Sequence, residues 1–324
     1  MGLLVKGEWS TDWYDTDSSG GEFIRTDAQF RNQIGDENFP AEANRYHLFV
    51  SLACPWAHRT LIFRAIKKLN TIIGVTVVEA EMLEHGWVIS DQESVKYGFE
   101  ACPIPDIEYM YQVYTSHQND YSGRVTVPVL WDKKNNCIVN NESSEIIRML
   151  NNSFNEFTDD ETDYYPKALH GVIDEVNELV YHNINNGVYK CGFATNQDVY
   201  EKHYENLFEA MDQVESILGQ HRYLAGDQIT EADWRLFTTL IRFDCVYYGH
   251  FKTNKKRIED YPNVSNYVRE LYQVSGVKET VSFRHIKVHY YYSHDMINPT
   301  RVVPVGPDTD YERPHDRANL GSKQ

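Results

Sequence analysis

The feature that most constrains this chain is a cysteine set where an apolar run meets the start of a helix. His47-Leu48-Phe49-Val50-Ser51 has the character of a short buried strand. From Pro55 to Leu69 the apolar residues recur at helical spacing, with proline in the first position. Cys54 falls between the two. A side chain there faces the unpaired N–H groups and the positive end of the helix dipole, which favour thiolate over thiol. Pro55 opens the helix where an N–H has no intrahelical partner, so no hydrogen bond is lost.

The pattern around this junction extends in both directions. Residues 1 to about 40 are polar and aromatic without a clear period, and the sequence leaves open whether they form an ordered extension or a loose arm. After the helix come a second strand at Val75-Thr76-Val77-Val78 and a long irregular, Tyr-rich stretch from Glu84 to Gly123. Thr126 to Trp131 and Cys137-Ile138-Val139 read as two further strands, and Asn140 to Glu145 leads into a helix through Leu150. Strand, helix, strand, long connection, strand, strand, helix is the order of a thioredoxin-like domain. From Asn155 to Tyr165 the acidic residues Glu156, Asp159, Asp160, Glu161 and Asp163 face no basic neighbour, which marks a linker. Beyond Pro166 the chain reads as helical, over 167–186, 200–218 and 234–247. Thr230 and Asp233 have capping-box spacing, and Ile229 and Trp234 that of a hydrophobic staple. The fold class expected is α/β plus all-α, divided into an extension (1–44), a thioredoxin-like domain (45–152), an acidic linker (153–165) and an all-helical domain with a C-terminal extension (166–324).

Composition narrows the function. A length of 324 residues suits about two domains at ~150 residues each. The formal charge of −17 disfavours nucleic acid, whose phosphates require clustered Lys and Arg. No run approaches the ~18 apolar residues of a membrane span. Met1 to Lys6 is too short and too soon charged for a signal peptide, so a cytoplasmic protein is expected. The five cysteines form no CxxC pair, which argues against a zinc ribbon or a dithiol redox motif. His285, His289 and His294 lack an HExxH pattern or a carboxylate at ligand spacing, so no metal is expected and the histidines read as supports for Tyr290 or a dimer contact. No nucleotide-binding glycine motif is present.

Cys-Pro-aromatic openings also start the redox helix of glutaredoxins and thioredoxins, but their second cysteine is Ala57 here. A mixed disulfide at Cys54 therefore has no resolving neighbour, and a thiol from solution must release it. Glutathione is the abundant cytosolic candidate. Val127-Pro128 lies where a thioredoxin-like domain carries a cis proline, with the backbone of Val127 open to a peptide thiol. Glu142-Ser143 lies at a helix start, where N–H groups bind carboxylate and a glutamate can hold an ammonium. Together these describe a site for γ-Glu-Cys-Gly with its thiol aimed at Cys54.

Arg45 to Arg59, Gly86-Trp87, Arg124 to Pro128, Asn141-Glu142-Ser143, Asn186 to Ala194, Arg242 to Phe251, His285 to Pro299 and Val303 to Pro307 together resemble the glutathione transferase superfamily. The tyrosine-bearing C-terminal stretches narrow the resemblance to its Xi class, the glutathionyl-hydroquinone reductases. The resemblance implies that Cys54 attacks the sulfur of a glutathionyl-hydroquinone and that a second glutathione clears the mixed disulfide. It implies glutathione binding by Trp87, Arg124, Val127, Glu142 and Ser143. Tyr189 matches a proton donor/acceptor, and Tyr247 and Tyr290 match residues on the hydroquinone side. A homodimer is implied, with glutathione as co-substrate and no bound cofactor. The chemistry is sensible in itself, since breaking an aryl C–S bond leaves negative charge on the ring and a phenol of pKa ~10 can supply the proton. An omega-like thiol transferase or dehydroascorbate reductase, or a non-catalytic binding module of the same fold, are the alternatives. Arg284, Lys287 and Arg301 against Asp295 alone predict a locally basic mouth for an anionic conjugate.

Overall fold

The computed structural model describes residues 2–320; Met1 and the last four positions of the expected C-terminal extension, 321–324, lie outside the described residues. In chain order the strands are β1 (Leu3–Val5), β2 (Glu8–Ser10), β3 (Tyr46–Val50), β4 (Gly74–Leu83), β5 (Gly86–Ile89), β6 (Gly123–Arg124), β7 (Val129–Asp132) and β8 (Cys137–Asn140). The helices are α1 (Pro55–Ile66), α2 (Asp91–Lys96), α3 (Met110–His117), α4 (Ser143–Asn152), α5 (His170–Val180), α6 (Gly187–Gly192), α7 (Gln197–Gln220), α8 (Glu231–Arg242), α9 (Tyr248–His250), α10 (Pro262–Tyr272) and α11 (Phe283–Ser293). Two π-helical turns, Tyr181–Asn185 and Phe243–Tyr247, lead into α6 and α9. The chain divides into two compact units, one of residues 1–13, 26–162 and 280–303, the other of 14–25, 163–279 and the chain from 304 onward.

The first unit is built on a thioredoxin-like sheet of order β5-β4-β3-β7-β8, with β3 parallel to β4 and antiparallel to β7. Every residue of β3 and β7 is buried, as expected of central strands covered on both faces. The pairing of β3 and β7 is reinforced by a buried ion pair, in which Arg45 donates to Asp132 from Nε (3.0 Å) and from Nη2 (2.6 Å). α1 and α4 pack on each other, while α2 and α11 pack against β4.

Several sequence expectations are corrected here. The arm left undecided at 1–40 is ordered in part: β1 pairs with β2 and also with β6, setting Leu3 opposite Arg124. Trp9 anchors it, donating from Nε1 to the Glu84 carbonyl (2.8 Å) and stacking on Tyr111 (5.0 Å). Gly86, at φ +70°, leaves room for that indole, since an added Cβ would lie 2.8 Å from it. The stretch 84–123 is not irregular; it contains β5, α2, α3 and β6. These elements are too short to establish a period. The acidic segment does find basic partners, because Asp160 lies 3.7 Å from Lys67 and 3.8 Å from Lys68. Those lysines are distant in sequence, which is why the local reading missed them. α11, expected in the helical domain, belongs to the sheet-bearing unit: Met82 N–H on β4 donates to Ser293 Oγ (3.0 Å), and His285 and Arg284 each lie 2.8 Å from Glu93 on α2.

The second unit is helical, running from α5 to α10. α8 is its most buried helix, with only Arg235 partly exposed, as its apolar faces predict. At its start Asp233 accepts from Thr230 N–H (2.7 Å), Leu224 N–H (3.0 Å) and Tyr267 Oη–H (2.8 Å), so the expected capping residues are engaged. Arg317 fixes the C-terminal segment, donating to the carbonyls of Leu218, His221 and Arg222, each at 2.6 Å.

Candidate active site

Cys54 is the N-cap residue of α1, with extended backbone and Pro55 in the first turn, so the strand-to-helix junction read from the sequence is present. Its N–H donates to the Ser51 carbonyl (3.2 Å), and its own carbonyl accepts from His58 N–H (3.0 Å). Cys54 is partly exposed, and its sulfur lies 3.5 Å from the Val127 carbonyl oxygen. The Val127–Pro128 peptide bond is cis.

Glu142 is the N-cap of α4, where its Oε1 accepts from Ser144 N–H (2.9 Å) and Ser144 Oγ (2.8 Å). Ser143 is buried and its Oγ accepts from Arg59 Nη1 (3.3 Å). Arg59 is itself buried and stacks over the Trp56 ring at 4.5 Å. It therefore joins the starts of α1 and α4. Two helix N-termini bridged by a guanidinium form a positive locus suited to a carboxylate or thiolate. The sequence reading gave Arg59 no role; its signal was an arginine one helical turn past the cysteine that the apolar pattern would otherwise fill.

Trp87 lies on β5, nearly buried, and stacks flat on His289 of α11 (4.7 Å, 22°). Tyr290, buried on the same helix, meets the rings of His289 (5.1 Å) and His294 (5.5 Å) edge-on. Two of the three histidines thus support the tyrosine, while His285 is held by Glu93. Arg124 donates to the carbonyls of Asp12 and Trp13, both at 2.7 Å, which ties its guanidinium to the N-terminal arm.

Cys54, Val127, Glu142, Ser143, Trp87, Arg124 and Tyr290 all belong to the first unit. Tyr189 and Tyr247 belong to the second, where they pack together at 6.1 Å with Phe251 against both, 5.6 Å from Tyr189 and 5.4 Å from Tyr247. Arg25 lies over the Tyr189 ring at 5.2 Å and donates to Asn186 Oδ1 (2.9 Å), bracing the start of α6.

The other cysteines differ from Cys54. Cys191 and Cys245 are buried, and burial pushes the Cys191 thiol up to about 12. Desolvation also raises Cys102 and Cys137. Among the described residues no group of three or more His, Cys, Asp or Glu could hold a metal ion, and no helix is long and apolar enough to cross a membrane. The expected basic mouth is largely neutralised, because Arg284 pairs with Glu93 (2.8 Å) and Arg301 with Asp295 (2.9 Å).

Known proteins bear out the family. Residues 53–153 match the family described as glutathione S-transferase, N-terminal domain, and residues 197–270 its C-terminal domain. The chain is 51% identical over 326 residues to Glutathionyl-hydroquinone reductase YqjG of Escherichia coli, covering 98% of each chain. It is 49% identical to Glutathionyl-hydroquinone reductase PcpF of Sphingobium chlorophenolicum, covering 95% of this chain and 96% of the relative. Glutathione S-transferase omega-like 2 of Schizosaccharomyces pombe is 45% identical, over 93% of this chain and 97% of its own. Among solved structures, the glutathione-bound structure of YqjG superposes with a TM-score of 0.88 at 47% identity, covering 98% of this chain and 99% of that one. The Xi class transferase of Natrialba magadii gives 0.91 at 44% identity, covering 99% and 97%. With such identity over nearly its whole length, the chain belongs to the Xi class of the glutathione transferase family.

Proposed function

We propose that this protein is a glutathionyl-hydroquinone reductase that works through a Cys54–glutathione mixed disulfide. The observation that carries the reading is the partly exposed Cys54 at the start of α1, its sulfur beside the Val127 carbonyl, in a chain 51% identical to a relative bearing that name. In the first step the Cys54 thiolate attacks the sulfur of the conjugate. The S–S bond forms as the aryl C–S bond breaks, and the departing electron pair remains on the ring carbon, which takes a proton to give free hydroquinone. Tyr189 supplies that proton, and Tyr247 and Tyr290 hydrogen-bond the hydroquinone oxygens. In the second step a glutathione thiolate attacks the mixed disulfide, so that oxidised glutathione leaves and the Cys54 thiolate returns.

Within this reading the glutathionyl group is held by Trp87, Arg124, the Val127 backbone, Glu142 and Ser143. Arg59 supports it as a positioning residue, because its hydrogen bond orients Ser143 at the α4 start. The protein acts in the cytoplasm as a homodimer, with glutathione as co-substrate. The test is turnover of a glutathionyl-hydroquinone by wild type and Cys54→Ser, reading hydroquinone and oxidised glutathione together. Wild type should release the two in equal amounts, and Cys54→Ser should release neither. Hydroquinone release by Cys54→Ser at the wild-type rate would overturn the proposal.

The omega-like name of the fission-yeast relative favours a second reading, a general thiol transferase or dehydroascorbate reductase. That reading predicts faster turnover of small disulfides or dehydroascorbate than of the aryl conjugate, so comparing kcat/KM across the three substrates separates them.

A further inference from the structure

The N-terminal segment 14–25 lies against helices of the second unit, where Thr195 N–H donates to the Gly21 carbonyl (3.1 Å) and Glu22 Oε1 lies 2.9 Å from His203 Nε2. Between Glu22, the π-helical turn, α6 and α7 is a cavity of about 180 Å³, lined in part by Asn183, Lys190, Lys202, His203 and Asn206. None of these residues is assigned to the chemistry proposed above.

The wall carries two ammonium groups, Lys190 and Lys202, and among the described residues neither has a carboxylate within ion-pair distance. Lys68, Lys96, Lys134, Lys256 and Lys278 each pair with an acid, whereas Lys190 and Lys202, like Lys6, Lys167, Lys252 and Lys255, have no carboxylate within ion-pair distance among the described residues. The cavity's own carboxylate, Glu22, is engaged by His203. His203 is buried, and burial together with the nearby Lys190 holds its imidazole toward the neutral form. The cavity is thus left with more positive than negative charge. The Asn206 amide, which has no hydrogen-bond partner among the described residues, adds a donor.

We propose that this cavity is a second ligand site, which binds a compact oxyanion carrying two or more negative charges, of the phosphate-ester or polycarboxylate class. The two ammonium groups of the lining outnumber its one carboxylate, Glu22, and a multivalent anion between them would neutralise the excess. The volume exceeds that of a lone phosphate group, which leaves room for a small organic body. Occupation would brace α6 against α7, since Gly187 and Lys190 lie on α6 and Lys202 on α7. Lys190 directly follows Tyr189, so the site lies behind the helix that carries the proposed proton donor.

The test is calorimetric titration of the full-length protein with citrate, with glycerol phosphate and with inorganic phosphate, using sodium chloride at matched ionic strength as the baseline. Saturable binding of citrate or glycerol phosphate is expected, weakened about tenfold in Lys190→Gln and in Lys202→Gln. Glu22→Gln keeps a hydrogen-bonding side chain beside His203 but removes a negative charge from the wall, and it should tighten binding several-fold. If citrate and glycerol phosphate give no saturable heat above the chloride baseline, the proposal is overturned. Equal affinities in wild type and both lysine variants would place the anion elsewhere and overturn it too. Binding of inorganic phosphate as tight as that of the esters would overturn the organic body while keeping the oxyanion site.

Discussion

At the scale of single residues, position distinguishes Cys54 from the other cysteines. It caps a helix and is partly exposed, whereas Cys191 and Cys245 are buried. The residue proposed as proton donor is Tyr189, which has 8% of its surface exposed and packs among Phe23, Phe193, Tyr247 and Phe251. Those contacts are made by its ring, so a phenylalanine preserves the packing and removes only the hydroxyl. Tyr189→Phe should keep the wild-type thermal midpoint and reduce kcat for aryl conjugate cleavage by about 10²–10⁴, the range for losing a general acid. Reduction of a small disulfide, which needs no proton on carbon, should change little. Steady-state kinetics on both substrates checks this, and equal loss on both would remove the proton-donor role.

At the scale of elements, Tyr189 and Tyr247, the two tyrosines of the second unit proposed for the chemistry, are adjacent to departures from regular helix. Tyr181–Asn185 precedes the helix carrying Tyr189, and Phe243–Tyr247 ends at Tyr247 itself. π-Helical turns are rare and occur mostly as single turns inside α-helices, frequently at functional sites. Packing here has little slack. A Cβ added at Gly192 would lie 2.2 Å from Cγ of Phe251, whose ring stacks on Tyr247 at 5.4 Å. Gly192→Ala should therefore cost about 1–3 kcal/mol as an overpacked core position and slow conjugate cleavage by displacing the aromatic cluster. Gly171→Ala is the contrast, because that helical glycine has nothing within 4 Å of an added Cβ. It should be neutral or stabilising by up to ~1 kcal/mol. The thermal midpoint should fall in Gly192→Ala and hold or rise in Gly171→Ala.

At the scale of the whole molecule, acid should destabilise both units through buried histidines. Burial pushes His47 of the first unit down to about 3 and His250 of the second down to about 4, with Lys133 and Arg64 adding to the first shift and Lys252 to the second. The folded state then binds fewer protons than the unfolded chain, whose histidines titrate near 6.5. Stability is therefore full above that value and falls as pH drops from about 6.5 toward 4, by up to ~1.4 kcal/mol per pH unit for each histidine. The thermal midpoint should decline over that window, and His47→Gln should flatten the decline. A midpoint constant between pH 6.5 and 4.5 would contradict it. Much of this architecture was legible in the chain itself. Periodicity located the strand and helix around Cys54, α7 and α8, because each is long or apolar enough for side-chain spacing to report the burial of a face. The Cys-Pro pair and the Val-Pro pair marked the centre of the candidate site, because proline restricts the backbone wherever it occurs. What depended on distant partners was not legible. The β1–β6 pairing, the binding of Arg124 by the arm, the lysines beside Asp160, the Arg59 bridge to Ser143 and the cavity behind α6 each join residues far apart in sequence. Sequence determined the local backbone and the chemical type of each group, since both are set by a residue and its immediate neighbours. Only the tertiary structure decided which charges meet, which tyrosines share a wall and which unit holds α11, because those contacts arise from packing across the fold.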